Sequence, residues 1–191
     1  MRHTQYRILY ALSAALLLGA CALSPQVISV QPALDTAALP QNGAATTLAL
    51  TVADVRTNAV VGYRGGVYDT ASITLDGDTT VRIQSGLAKA LAARGFSVAS
   101  TGTPATVNLQ VELAELGYKV TQGQVTRTVE VTSTLRARSQ AGEVTRTGEY
   151  TDTRTQEFVQ PPSDAENSTL INEVLSAAMQ RLVADAELFR Y

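Results

Sequence analysis

Histidine and cysteine are almost missing from this chain. The one histidine, His3, and the one cysteine, Cys21, both fall within the first 21 of its 191 residues. Everything beyond Cys21 therefore lacks an imidazole and a thiol. That excludes Ser-His-Asp and Cys-His nucleophilic catalysis there. It also excludes the usual His- or Cys-ligated zinc and haem sites. With one cysteine, no disulfide can form within the chain. Tryptophan is absent and aromatics make up only 5%. Glycoside hydrolysis needs just two acids, but the aromatic sugar platforms that accompany it are scarce. Neither a GxxxxGK[ST] nor a GxGxxG phosphate loop occurs. Nothing in the sequence points to a cofactor, a metal or a catalytic set, and the chain is not expected to be an enzyme.

The N-terminus is informative. Arg2 and Arg7 precede an almost wholly apolar run from Ile8 to Leu18, followed by Gly19, Ala20 and Cys21. The run is too short for a membrane span, which needs about 20 apolar residues. A basic start, an apolar middle and small residues at the end are the parts of a secretory signal peptide, here residues 1–20. Leu18-Gly19-Ala20-Cys21 resembles the lipobox of bacterial lipoproteins. The resemblance implies cleavage before Cys21, a diacylglycerol on its thiol and a further acyl chain, such as palmitate, on its new amino group. Each buried CH₂ adds about 0.8 kcal/mol, so two or three chains anchor firmly where one does not. Ala22 stands where an Asp would retain an enteric lipoprotein at the inner membrane. The lipidated domain is thus expected on the periplasmic face of the outer membrane.

Removing the leader takes two Arg and no acid, leaving 13 basic against 17 acidic residues and a formal charge of −4. Such a balance provides no basic face for nucleic acid. The remaining length suits one domain. Residues 21–45 look like an acylated cysteine and a tether holding a short entry strand around Val27–Val30. Residues 46–191 form the domain.

Leu48, Leu50 and Val52 alternate with polar neighbours, as in a strand with one buried face. Val60–Tyr63 and Val67-Tyr68 flank Arg64-Gly65-Gly66 and suggest a short hairpin. Ile83, Leu87, Ala90 and Leu91 recur at helical spacing behind Asp76 or Asp78 as a cap, with Gly95 as a stop. A helix is predicted over 79–94. Val107, Leu109, Val111 and Leu113 then alternate, and the parity slips to Leu116, Tyr118 and Val120. A β-bulge near Ala114 or Glu115 accommodates the slip. Turns at Gln122-Gly123-Gln124 and Gln140-Ala141-Gly142 set two further strands antiparallel to this one. Ser163-Asp164-Ala165-Glu166 has the form of a capping box. It opens a long helix whose stripe runs through Ile171, Val174, Leu175, Ala178, Leu182, Ala186 and Phe189. The expected fold is α+β: a mainly antiparallel sheet of about four strands plus a short hairpin, packed on one face by two helices.

The run Pro25-Gln26-Val27-Ile28-Ser29-Val30-Gln31-Pro32, Asp54-Val55-Arg56 with Gly62 beyond it, and Leu87 to Val98 together resemble the YajG-type family of bacterial lipoproteins. The resemblance covers nearly all of the chain beyond the leader. It implies an envelope location and a domain shape, and no reaction. The order β-hairpin-α-β-β-β-α is also similar to that of the lipopolysaccharide-assembly lipoprotein LptE, a likeness of fold alone.

Candidate interaction residues are Asp54, Arg56, Tyr63, Arg64 and Tyr68, in the loop region between the first strand and the first helix. Asp54 and Arg56 either meet a partner's charges or pair with each other. Tyr63 and Tyr68 either contact a partner or pack the hairpin. Arg127, Arg136, Arg138, Arg146 and Arg154, with rows of Thr, form a second candidate surface for a glycan, lipid head groups or a protein. Interleaved acids also make it an ordinary solvated face. Besides the membrane reached through Cys21, the expected partner is an envelope protein or glycan. The function expected is that of a binding or accessory protein in cell-envelope maintenance. The alternatives are an LptE-like subunit of an outer-membrane assembly, a carboxylate-dependent wall hydrolase and a small-ligand carrier.

Overall fold

The computed structural model describes residues 23–65, 70–99 and 103–191. Cys21 and the leader lie outside these residues, as do Gly66, Val67 and Tyr68. In chain order the elements are β1 (Gln26–Ile28), β2 (Thr47–Asp54), β3 (Val60–Tyr63), β4 (Ser72–Leu75), α1 (Thr79–Ala93), β5 (Ser97–Val98), β6 (Val107–Gln122), β7 (Arg127–Ala141), β8 (Val144–Phe158) and α2 (Asp164–Ala184).

Both helices pack on one face of a mixed sheet, so the fold is α+β. The expectation of about four strands, mainly antiparallel, is corrected: among the described residues the sheet has eight. Four of its seven pairings are parallel: β1 with β4, β2 with β5, and both β2 and β3 with β6. The long β6–β7–β8 meander is antiparallel, as its two short turns require. The strand paired with β3 in the hairpin is β4, around Ile73.

The central strand explains the rest. One edge of β6 pairs with β7 along its whole length. On the other edge, β2 runs beside Val107–Leu113 and β3 meets Tyr118, both parallel to β6. β2 and β3 thus form one interrupted strand. The interruption, residues 55–59, falls opposite the expected bulge, which sits between Leu113 and Glu115. An extra residue on β6 bends it and breaks the ladder, so one straight strand could not pair along both halves. Gly62 permits the second half. A Cβ there would stand 2.0 Å from the Tyr118 carbonyl oxygen.

α1 buries Ile83, Leu87, Ala90 and Leu91, and α2 buries Ile171, Val174, Leu175, Ala178 and Leu182. Burying such large side chains contributes about 1.5–3 kcal/mol each. The capping box forms in full. Ser163 Oγ accepts from the Glu166 N–H, and the Glu166 carboxylate accepts from the Ser163 N–H at 2.7 Å. α2 ends at Ala184, short of the predicted stripe. Asp185 is extended, and its side chain accepts from the Glu187 and Leu188 N–H groups, an arrangement that competes with continued helix. Ala186 is exposed, and Phe189 packs from beyond the helix end.

Residues 29–36 form a strap along the crevice between the helices. The N–H groups of Gln31, Ala33 and Asp35 donate in turn to the side chains of Asn172, Ser176 and Gln180. Two extended residues advance about 6.6 Å and four helical residues about 6 Å, so the two series keep step. Arg82 of α1 holds the other side, donating to Ser29 Oγ and to the Val30 carbonyl. The segment expected to be a loose tether is therefore docked against the domain.

Candidate functional site

Asp54 and Arg56 sit where the β2–β3 strand breaks. Their two-residue spacing brings the side chains together. Arg56 Nε and Nη2 donate to Asp54 at 2.9 and 2.7 Å, a two-pronged pair. Burial pushes the Asp54 carboxyl up, but the hydrogen bonds and charge of Arg56 outweigh it and hold the pKa below the ordinary carboxylate value. The pair joins the two charges at the break and leaves Arg56 Nη1 buried without a partner among the described residues.

Arg64 is corrected as a surface contact, for only 7% of it is exposed. Its Nη1 donates to the Ser24 carbonyl and its Nη2 to that of Pro162, and the guanidinium lies 3.1 Å from Asp164. One cation thereby clamps the incoming N-terminal segment, the β3 end and the start of α2. Withdrawing it would leave a carbonyl unpaired in the interior, at a cost of about 1–3 kcal/mol. Tyr63 is partly exposed beside it. Tyr68 lies outside the described residues.

A buried polar chain missed by the sequence reading supports this clamp. Tyr118 donates its hydroxyl proton to Asn167 Oδ1 at 2.7 Å. Asn167 donates to Gln26 Oε1 at 3.0 Å, and Gln26 donates to the Asp164 carbonyl at 2.9 Å. Burial pushes the Tyr118 phenol up to about 12, against the opposing charges of Arg64 and Arg127. Only the polar Asn167 in the otherwise apolar helix stripe could have signalled it.

The five late-strand arginines do not share one face. Alternation along β7 and β8 turns Arg127, Arg146 and Arg154 toward the helix side. There Arg154 pairs with Glu173 of α2 at 2.8 Å, and Arg146 reaches the Arg190 carbonyl. Arg136 and Arg138 alone join the Thr rows on the open face. Thr132 bonds Thr153, and Thr134 bonds Thr151, each at 3.0 Å. Arg136 lies 2.9 Å from Glu149. Arg138 stands between Gln110 and Thr147 with no ion pair among the described residues. These side chains and Glu112 line a hollow of about 460 Å³. Neither helix reaches this face, so the strands present it to the surroundings. Among the described residues no His, Cys, Asp or Glu group has a metal-holding arrangement, and no helix is long and apolar enough to cross a membrane.

The fold and its surfaces define a class: an α+β domain with a strapped helix layer on one side and a bare polar sheet on the other. The chain belongs to a family described as uncharacterized lipoprotein, whose profile matches residues 32–191. Its relatives include the uncharacterized lipoprotein YajG of Escherichia coli K12, 32% identical over 122 residues, or 62% of this chain. The same protein of Escherichia coli O6:H1 matches equally. The matched stretch spans 60% of the length of these relatives. Among solved structures, protein XCC0632 of Xanthomonas campestris superposes with a TM-score of 0.56 at 12% identity. That match covers 83% of this chain and 93% of that one, a likeness of fold. Membership of a lipoprotein family gives the chain a membrane-anchored place in the cell envelope.

Proposed function

We propose that this is a non-catalytic binding or accessory lipoprotein, held by acylated Cys21 at the periplasmic face of the outer membrane. It meets an envelope protein or glycan through the open face of β6, β7 and β8. The observation that carries the reading is the hollow around Arg138, a cation with no ion pair among the described residues, set in the uncovered side of the sheet. The alternative contact, the loop after β2, has its charges paired within the chain, Asp54 with Arg56 and Arg64 with Asp164. Ala22 supports the outer membrane over the inner one.

The test is photocrosslinking in intact cells. A crosslinker at Arg138 or Thr147 should trap a discrete partner, and one at Lys89 on α1 should trap none. Arg138→Glu, read with a crosslinker at Thr147, should abolish the adduct without moving the melting temperature by more than a degree or two. If the open face traps nothing while Tyr63 does, the contact lies in the loop and this assignment of the surface fails. Capture of an integral outer-membrane protein in equal amounts would favour the assembly-subunit form of the reading.

A further inference from the structure

The end of the domain from which the N-terminal segment leaves differs from the opposite end. Four stretches converge there. Ser24 is held by Arg64, which also holds Pro162. Arg127 pairs with Phe158, so the 123–126 turn and the 159–162 turn extend side by side beyond the same edge of the sheet. Gly65 lies against Val120 and Arg127, which brings the end of β3 to the same place.

Among the described residues, the stretches that reach the tip of this end carry no charge. Residues 22–34, 60–63, 120–126 and 158–163 contain no Asp, Glu, Lys or Arg, in a chain that is 17% charged. The tip is apolar where it protrudes furthest: Val125 is 77% exposed and Val159 73%. Val27 of β1 is exposed nearby. The charged groups stand a step back. Among the described residues they are Lys119 opposite Glu130, Glu157 opposite Thr128, Arg127, and Asp164 with Arg64. The far end of the domain is unlike it, with Glu143, Arg146, Glu187 and Arg190 all exposed.

Chain length ties the tip to the anchor. Ser24 is three residues from Cys21, a span of at most about 11 Å. A lipid on Cys21 must therefore enter the bilayer beside this tip. Protruding valines without neighbouring charge favour the boundary between head groups and acyl chains, whereas exposed charges favour water.

We infer that the Val125 and Val159 turns rest in the head-group layer of the bilayer, so that the domain stands on this end with its sheet upright instead of swinging on a tether. The inference rests on Cys21 being the lipid-bearing residue. It names the membrane lipid itself as the occupant of this surface.

The mature chain has no other cysteine, so a thiol introduced elsewhere is unique once Cys21 is acylated. The full lipoprotein carrying Val125→Cys, Val159→Cys or, at the far end, Val144→Cys would be labelled with an environment-sensitive fluorophore. It would then be incorporated into phosphatidylethanolamine–phosphatidylglycerol vesicles, with and without brominated acyl chains. Labels at 125 and 159 should shift to the blue and lose at least half of their emission to the brominated lipid, and the label at 144 should do neither. Val125→Asp with Val159→Asp should leave vesicle flotation intact and make a label at Gln124→Cys as wet as that at 144. If the protein floats but labels at 125 and 159 match the one at 144, the upright placement is wrong and the anchor stands. If the wild-type protein, purified from membranes, does not float, the anchor reading and the placement fail together.

Discussion

Arg94 shows what a single residue does in this fold. It is 0% exposed, yet its guanidinium is fully employed. It donates to Asn42 Oδ1, to the Val183 carbonyl and to the Asp185 carbonyl, and it stacks 4.4 Å from the Phe189 ring. Burial draws its pKa down, and the nearby Asp185 charge offsets only part of that. One side chain, rooted at the end of α1, therefore supplies donors to the C-terminal end of α2, where carbonyls would otherwise lack them. Arg94→Ala should be destabilising by about 1–3 kcal/mol for each acceptor left unpaired in the interior. Urea unfolding would read it, and an unchanged midpoint would show that the carbonyls find other donors. Gly62→Ala makes a different kind of demand. Its new methyl meets backbone, which cannot swing aside, so β3 should detach from β6 at a cost of about 1–3 kcal/mol. Amide exchange of Val60–Tyr63 should then rise well above that of β7. The two-residue spacing of Asp54 and Arg56 made their shared face legible and left open whether they pair with each other or meet a partner. The roles of Arg94 and Arg64 were not legible, because a sequence does not distinguish an arginine in water from one surrounded by carbonyls.

At the scale of elements, the strap and α2 must be considered together. Asn172, Ser176 and Gln180 lie one turn apart, and each accepts from one strap N–H. Asn172 and Gln180 also donate to the Ser29 and Asp35 carbonyls, so replacing all three with Ala removes five hydrogen bonds to the strap of about 0.5–1.5 kcal/mol net each. The strap should then open locally before the domain unfolds. Limited proteolysis would show faster cutting within residues 33–41, with β6–β8 still protected. Equal cutting in wild type and variant would mean that Val30 and Leu34, packed into the helix crevice, hold the strap unaided. The limits of α1, the start of α2 with its capping box, the bulge and both meander turns could be read from the sequence because each is a local pattern. The parallel pairings could not. Alternation shows which face of a strand is buried and says nothing of its neighbour, and β2 meets β6 across the whole of α1. The strap escaped for a similar reason: its partners lie more than 140 residues away.

For the molecule as a whole, the titrating groups define a range of stability. Tyr118 gives up its proton at about 12 in the fold, against 10.0 ordinarily. Burial and the bond to Asp185 push Tyr150 up as well. Above pH 10 the unfolded chain therefore holds fewer protons than the folded one. Stability should be intact below pH 10 and decline as pH rises through 12. Tyr118→Phe should flatten this decline, as seen in thermal melts across that range. On the acid side the sign reverses. Burial opposes the charged form of Asp185, but its bonds from Tyr150, Glu187 and Leu188 prevail, and its pKa, like that of Asp54, falls below 3.8. Their contribution is present above that value and disappears as pH falls through the folded pKa.

The distance along the chain between the strap and α2 also bears on synthesis. The N-terminal third is made first, yet its lodgings come last: β2 needs β6, Gln26 needs Asn167, and Asp35 needs Gln180. Local hairpins close sooner than distant pairings, so β6, β7 and β8 should gain protection before residues 26–46, an order that pulse-labelled hydrogen exchange would resolve. Until α2 is complete, Ile28, Val30 and Leu34 have no interior to enter. During that interval the nascent protein is a natural client for chaperones that shield apolar segments.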